Sequence, residues 1–449
     1  MNFGGGMNTI AANDDESSVA NAGFKSDKLD RLGLAEHLTR YICRLKNGAV
    51  IGIDGPWGSG KSWFARNWRD RLRSQGFKVA YIDAFQDDYT DDPFTLVASE
   101  INLLIKSSGN DGEKRARAFV EKAARVATVI APAAGKIAIN AVGKVLGTTG
   151  NLSDVGQDIA TAIADSSGGS AEQWIRKKIE GYVEDKRSLA EFQNDLREFS
   201  KLSDKPVIVM VDELDRCRPD FAVGLIERIK HLFDVENLVF VLLMNRRQLS
   251  RAVEGVYGVG DEAPAYLSKF INIYFQFPVA TVAHGSQSAI RRFTDSVLAQ
   301  YEWSSPQTPF ADALVEISPF VDFTLRDIER AVALYSYAHP TRLSARGLTY
   351  IAVLKVKRPA DFQRIVAGDD GVHLSLFEWL IELEKRAIAD DHSHARKQMR
   401  MAMAIHWPYL TIADQEKYSS EFSAEFNERW RIEKHFCTQL VQAIDIPIE

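Results

Sequence analysis

The sequence predicts an α/β protein in which a parallel sheet is sandwiched by helices, followed by an all-α C-terminal region. Short apolar runs alternate with helical patterns as far as residue 244, which is typical of a parallel sheet. A glycine-rich turn follows the first apolar run, at the strand end where such sheets bind ligands. After about residue 285, strand-like runs give way to helical periodicity.

The individual elements follow from periodicity and from turn residues. Apolar residues at helical spacing predict a helix over 26–47, and Pro93 is expected to begin another. Strands are predicted at 49–53, 78–85, 206–211 and 238–244. Further helices are predicted from residue 62 and over 171–201, 219–234, 289–301, 324–337, 343–355, 372–389, 394–406 and 414–433.

The turn after the first strand reads GPWGSGKS at residues 55–62, a full match to G-x-x-x-x-G-K-[ST]. An apolar strand precedes the match and a helical pattern follows it, which is the order that a phosphate-binding loop requires. In such a loop backbone N–H groups surround the phosphates, the lysine reaches the β- and γ-phosphates, and the serine ligates Mg²⁺. A glycine-rich turn with a chance lysine would not account for the flanking strand and helix.

The sequence therefore predicts a P-loop NTPase core that binds ATP and Mg²⁺. Lys61 is expected to act in catalysis by neutralising phosphate charge, and Ser62 is expected to ligate the metal. Nucleotide contacts are expected from Gly55, Pro56, Trp57, Gly58, Ser59, Gly60, Lys61, Ser62 and Trp63.

Two carboxylates, Asp212 and Glu213, end the apolar run at 206–211. Hydrolysis of ATP needs a carboxylate near the metal and a group that activates water. We assign Asp212 to Mg²⁺ and Glu213 to the general base; the alternative is that both only cap a strand. An arginine at 216 or 218 could pair with Asp215 or reach a phosphate.

Asn245 ends the next apolar run, 238–244, which is expected to lie beside the strand at 206–211. Its amide could contact both the attacking water and the γ-phosphate, and would then take part in catalysis. The alternative is an ordinary turn residue.

Composition limits the partners and the compartment. The chain has 449 residues, a net charge of −6 and a pI near 5.9, which argues against wholesale coating of nucleic acid but leaves local contact open. Three scattered cysteines fit a reducing cytoplasm, so we expect a cytoplasmic protein. Residues 1–25 are rich in Gly, Asn, Asp and Ser and are expected to be a disordered tail rather than a signal peptide.

Residues 113–170 are rich in alanine and glycine and are expected to form an apolar helical insert. Within it, Lys136 and Lys144 interrupt the apolar stretch 126–147, so it does not reach the length of a spanning helix. We expect this stretch to pack against protein, including a second copy of the chain. Peripheral membrane association is the alternative.

Several motifs together resemble the KAP family of P-loop NTPases, a glutamate-using group related to the STAND ATPases. They are D-x-L-x-R at 27–31, GPWGSGKS at 55–62, DAF at 83–85, VMVDELDRCRP at 209–219 and FVLLMNRRQLSRAV at 240–253. Members of the family often have an acidic residue at the position of Asn245, and many have transmembrane helices in the insert. This chain has an asparagine at that position and a different insert.

The resemblance implies an ATPase that drives assembly or a conformational switch, in a bacterial setting such as anti-phage defence. It also implies a homo-oligomer, an unidentified protein partner and a helical lid in which Arg326 or Arg330 reaches the nucleotide; either could equally be a surface arginine. The alternative function is a non-catalytic ATP-binding scaffold or sensor. The expected domains are the core at 26–112 and 171–284, the insert at 113–170, and a helical lid with a C-terminal helical domain at 285–449.

Overall fold

The computed structural model describes residues 24–445, apart from 46, 91, 110, 131–170, 233–234, 279–285, 302–307, 339–343, 390–391 and 427–431. The chain divides into two compact units. The first contains Leu32–Gly55 and Lys61–Phe277, and the second contains Ser26–Arg31, Pro56–Gly60 and Pro278–Glu449.

The first unit alternates strands with helices. Its strands are β1 (Ala49–Asp54), β2 (Val79–Asp83), β3 (Val207–Asp212), β4 (Leu238–Met244) and β5 (Ile273–Gln276). Its helices are α1 (Leu32–Ile42), α2 (Lys61–Ser74), α3 (Ala84–Asp87), α4 (Pro93–Lys106), α5 (Gly112–Ile130), α6 (Ala171–Lys201), α7 (Pro219–Ile229), α8 (Arg246–Tyr257) and α9 (Ala263–Leu267).

The five strands form a parallel sheet in the order β2-β3-β4-β1-β5. Strand β4 lies between β3 and β1, which confirms the expected neighbours 238–244 and 206–211. The predicted end of the second strand was wrong. The second strand ends at Asp83, because that carboxylate caps α3 by accepting a hydrogen bond from Gln86 N at 3.1 Å. Strand β5 was not predicted, since it has only four residues, three of them partly exposed and one exposed.

Alternate residues of the central strands point to opposite faces of the sheet, as the period of a strand requires. On one face Val209 and Phe240 lie in a buried cluster with residues of α4, α5, α6 and α7. On the other face Met210 and Val241 pack with residues of α1 and α2. The sheet is therefore covered by helices on both sides, as predicted for this class of fold.

Helix α5 begins where the insert was expected to begin. Its residues Ala116, Phe119, Ala123 and Val126 are buried in the same cluster as Phe192 of α6, so this helix contributes to the core of the first unit. Residues 131–170, with most of the apolar stretch 126–147, lie outside the described residues. Within the described part of the chain, no helix has the length and apolar character needed to cross a membrane.

The second unit is helical downstream of residue 285, as the sequence predicts. Its helices are α10 (Ser286–Leu298), α11 (Thr308–Ile317), α12 (Leu325–Tyr337), α13 (Ala345–Lys357), α14 (Pro359–Val366), α15 (Val372–Ala389), α16 (Ser393–His406), α17 (Ile412–Ala424) and α18 (Lys434–Ile444). Three of them, α11, α14 and α18, were not predicted. All three are shorter than 12 residues, which leaves few turns in which a helical period can show.

The second unit buries two neighbouring histidines, His373 and His406, which are 2% and 0% exposed. Their Nδ1 atoms are 2.7 Å apart, and His406 Nε2 is 2.5 Å from the hydroxyl of Tyr350. Two imidazole nitrogens at this distance share one proton, so one donates and the other accepts. Burial lowers the pKa of His373 to about 4 and that of His406 well below its usual value. Both rings are therefore neutral at pH 7.

We expect the free energy of unfolding to fall as the pH drops from about 6.5 toward 4. In that window the unfolded chain binds protons at these histidines and the folded chain does not, so acid favours unfolding. The lowered pKa of His373 corresponds to a loss of about 3 kcal/mol in the free energy of unfolding once the pH falls below both pKa values. Urea unfolding between pH 4 and 8 measures the slope.

The His373→Gln variant should show a shallower slope over the same pH range, since Gln does not titrate. His435 is exposed, so His435→Gln serves as the surface control for the same substitution. An equal slope in the wild type and in His373→Gln would contradict the assignment.

Candidate nucleotide-binding site

Hydrogen bonds fix the end of β1, where the glycine-rich turn begins. The Asp54 carboxylate accepts from the backbone N–H of Arg246 at 2.8 Å and from Gln276 Nε2 at 2.9 Å. Gly55 N donates to Met244 O at 3.0 Å. These contacts bind the start of the loop to the ends of β4 and β5.

The loop itself takes a backbone conformation that glycine favours. Gly58 and Gly60 have φ values of +78° and +87°, a region in which a side chain is strained. A Cβ on Gly58 would lie 2.8 Å from the Thr324 hydroxyl, and a Cβ on Gly60 would lie 2.5 Å from Arg31 Nη1. Backbone conformation thus favours glycine at both positions, and at Gly58 the space available does so as well.

Lys61 begins α2 and is only 8% exposed. Its ammonium donates to Gly55 O at 2.6 Å. Burial lowers the pKa of Lys61, and the carboxylates of Asp215, Asp212 and Asp54 oppose that shift. Lys61 is buried close to these carboxylates, so its removal changes the local charge balance.

Asp212, the last residue of β3, is 1% exposed. Its carboxylate accepts a hydrogen bond from the Tyr81 hydroxyl at 2.8 Å. Burial raises the pKa of Asp212, while hydrogen bonds from Ser62 and Tyr81 lower it. Sequence reasoning did not include Tyr81, because only the order of the strands shows that β2 lies beside β3.

Glu213 follows Asp212 in a left-handed conformation with φ +58° and ψ +23°. Such a conformation costs free energy for a residue other than glycine and is found preferentially at functional sites. Its Oε1 accepts from the Ser62 hydroxyl at 3.0 Å, and its Oε2 forms an ion pair with Arg216. The arginine at 216 therefore pairs with Glu213, and Arg218 donates to Asp88 O at 2.8 Å.

The side chains around Ser62 suit a hard divalent cation. Ser62, Asp212 and Glu213 offer only oxygen atoms, which Mg²⁺ prefers. Ser62 and Asp212 would hold the ion. Within the described residues no group of three or more His, Cys, Asp or Glu side chains could hold a metal alone.

Asn245 lies between β4 and α8 and is the N-cap of that helix. Its side-chain oxygen accepts from Gln248 N at 3.3 Å, so this oxygen has a structural partner. This contact is the one expected if Asn245 is an ordinary turn residue. A role in sensing nucleotide stays a prediction.

Arg326 lies in the first turn of α12, within the second unit. Its backbone N–H donates to Gly58 O at 3.4 Å, and its side chain is exposed. Thr324 caps the helix in a capping box with Asp327. Within this unit the start of α12 therefore contacts the glycine-rich loop.

A parallel sheet, a glycine-rich loop ahead of a helix, and two carboxylates at the end of a neighbouring strand define a P-loop NTPase. The chain belongs to the KAP family, since residues 31–342 match the KAP family P-loop domain. It is accordingly a nucleotide-binding protein of the ATP-binding P-loop class.

The solved structures that are similar to this chain include the following two, and no curated protein sequence matches it. The first is the replication initiator DnaA bound to AMPPCP and single-stranded DNA, with 12% identity and a TM-score of 0.31. The match covers 95% of this chain and 89% of that chain. The second is the ORC2 protein of Aeropyrum pernix in ADPNP–ADP complexes, with 12% identity, a TM-score of 0.34 and coverage of 92% and 94%.

Proposed function

We propose that this protein hydrolyses Mg-ATP and uses the nucleotide cycle to drive assembly or a conformational switch. The observation that carries the proposal is the 3.0 Å hydrogen bond from Ser62 to Glu213. It places a carboxylate against the first turn of α2, where the loop offers its N–H groups to phosphates. A water molecule that attacks the γ-phosphate would need a base at this place.

Each residue has a role in this reaction. Lys61 neutralises charge on the β- and γ-phosphates, and Glu213 accepts the proton of the attacking water. Ser62 and Asp212 would hold Mg²⁺, which stabilises negative charge on the phosphate oxygens when bound. Arg326 is proposed to add positive charge from the helical lid, and Asn245 to orient water.

The ion pair between Glu213 and Arg216 favours a second candidate function, an ATP-binding scaffold or sensor without turnover. Ser62 donates to Oε1 of Glu213 and Arg216 pairs with Oε2, so an attacking water molecule must compete with these partners for the carboxylate. A protein in which water never succeeds in this competition would bind ATP and keep it intact.

The Arg216→Gln variant tests whether the ion pair restrains the base. We expect turnover to rise, because Glu213 is released, while the affinity for ATP changes little. Partly exposed ion pairs contribute ~0.2–1 kcal/mol, so the increase should be at most about fivefold. The measurement is steady-state phosphate release at saturating ATP. A fall in turnover would contradict a restraining role and would indicate that Arg216 assists the reaction.

Phosphate release and particle mass, measured together, distinguish the two functions. The protein is incubated with ATP, ADP or a non-hydrolysable ATP analogue, and its mass is determined in each state. Phosphate release together with a change in mass or conformation between ATP and ADP supports the ATPase. Bound ATP that stays intact over hours supports the scaffold.

The family resemblance supports a homo-oligomer acting with a protein partner in bacterial anti-phage defence. A phage challenge tests this setting: a host that expresses the wild type should lower plaque formation, and a host that expresses Lys61→Ala should not. Equal plaque counts in both hosts, across a panel of unrelated phages, would remove the defence role and leave the ATPase proposal standing.

A further inference from the structure

The turn at 26–31 carries a buried arginine. Arg31 is only 4% exposed, and the turn that presents it is internally fixed. The Asp27 carboxylate accepts from the backbone N–H groups of Leu29, at 3.0 Å, and Arg31. Arg292 of α10 forms an ion pair with Asp30 and donates to Lys28 O at 3.3 Å.

The guanidinium of Arg31 contacts the glycine-rich loop from within the same unit. Nη2 donates to Ser59 O at 2.5 Å, and Nη1 donates to Gly60 O at 3.3 Å. A Cβ at position 60 would lie 2.5 Å from Nη1, so a side chain there would displace the guanidinium. Two successive loop carbonyls are thus bound by one planar fork.

Because the peptide group is planar, the direction of each bound carbonyl also fixes the direction of the N–H group that follows it. In a trans peptide the carbonyl and the following N–H point in opposite directions. The carbonyls of Ser59 and Gly60 belong to the same peptide groups as the N–H donors of Gly60 and Lys61. Holding those carbonyls on Arg31 therefore directs these two N–H groups away from Arg31.

We propose that Arg31 is a positioning residue that keeps the N–H groups of Gly60 and Lys61 turned toward the phosphates of a bound nucleotide. The inference rests on the proposed nucleotide site but does not require hydrolysis. A cation bound to a carbonyl also polarises the peptide group, so its N–H becomes a better donor to an anion.

Two further observations agree with this role. Burial lowers the pKa of Arg31 to about 10, which the nearby Asp27 opposes, so the guanidinium stays charged at neutral pH. The Ser59 hydroxyl is buried with its residue 2% exposed and has no hydrogen-bond partner among the described residues. A buried hydroxyl in this state costs free energy unless a ligand supplies a partner.

Nucleotide titration of the full chain tests the proposal without any measurement of turnover. Hydrogen bonds to charged groups are strong enough that Arg31→Ala should weaken the binding of both ADP and a non-hydrolysable ATP analogue by about 10–100-fold. Arg31→Lys keeps the charge and loses the fork, so we expect an intermediate loss. Guanidinium ion at millimolar concentration should restore part of the affinity of Arg31→Ala and should not improve Arg31→Lys.

Arg228→Ala is the matched control, because Arg228 is equally buried at 5% exposed and is paired with Asp92 in the first unit. It should lower thermal stability and leave nucleotide affinity within about twofold of the wild type.

If Arg31→Ala does not fold, Arg31→Lys is the variant that tests the proposal. Wild-type affinity in a folded Arg31→Ala or Arg31→Lys protein would overturn the proposal, and so would a wild type that binds no nucleotide. A wild type that binds but does not hydrolyse ATP overturns only the ATPase.

Discussion

Replacing Glu213 with glutamine should stop ATP hydrolysis while ATP still binds. The amide has nearly the same shape as the carboxylate and can still accept a hydrogen bond from Ser62, which donates to Oε1 at 3.0 Å in the wild type. It cannot accept a proton from water at neutral pH. Loss of a general base typically lowers a rate by ~10²–10⁴-fold, so we expect kcat to fall by about that factor.

Binding and turnover must be measured separately for this variant. The affinity for ATP, from equilibrium titration, should stay within a few-fold of the wild type, and single-turnover phosphate release should show the loss. Glu227→Gln is a suitable control, because the Glu227 carboxylate of the same unit also accepts two hydrogen bonds, from the hydroxyls of Tyr257 and Tyr266. Unchanged turnover in Glu213→Gln would show that another group activates water.

Replacing Lys61 with alanine should abolish nucleotide binding. The ammonium is the charge that the motif supplies to the β- and γ-phosphates, and in the described structure it donates to Gly55 O at 2.6 Å. Its removal also leaves Asp212, Asp215 and Asp54 without the nearby cation, which makes the site more repulsive to phosphate. We expect no detectable binding at ligand concentrations that saturate the wild type.

Thermal unfolding measures this loss without labelling the ligand. A ligand at 100 times its Kd stabilises the folded state by ~2.7 kcal/mol, so Mg-ATP should raise the Tm of the wild type and leave that of Lys61→Ala unchanged. Lys106→Ala, which removes an exposed lysine paired with Glu113, should still respond to Mg-ATP. An equal rise of Tm in Lys61→Ala and in the wild type would contradict the site assignment.

The glycine-rich loop and the two carboxylates could be predicted because the residues that specify them are close together in the chain. Gly58 and Gly60 adopt positive φ values that glycine tolerates well, so their role can be inferred from residue type and spacing. The run at 206–211 is buried throughout the observed strand, and a continuous apolar run carries that information directly. Helices with several turns, such as Ala171–Lys201, are likewise specified by a repeating pattern.

Contacts between distant residues could not be predicted in the same way. Tyr81 and Asp212 are 131 positions apart, and Arg31 and Ser59 are 28 positions apart. Strand β5 has only four residues, none of them buried, and therefore gives a weak periodic pattern. The histidine pair depends on the packing of α15 against α16, which no local pattern specifies.

The sequence by itself determined the class of fold and the position of the glycine-rich loop, because local backbone preferences and apolar periodicity act over a few residues. Only the tertiary structure decided how those residues are restrained. Burial of Lys61, the left-handed conformation of Glu213, its ion pair with Arg216 and the fork of Arg31 on the loop carbonyls all depend on which distant groups meet once the chain is packed. Burial and pairing set the charge and the orientation of a side chain, and neither can be worked out from the neighbours of that residue in sequence.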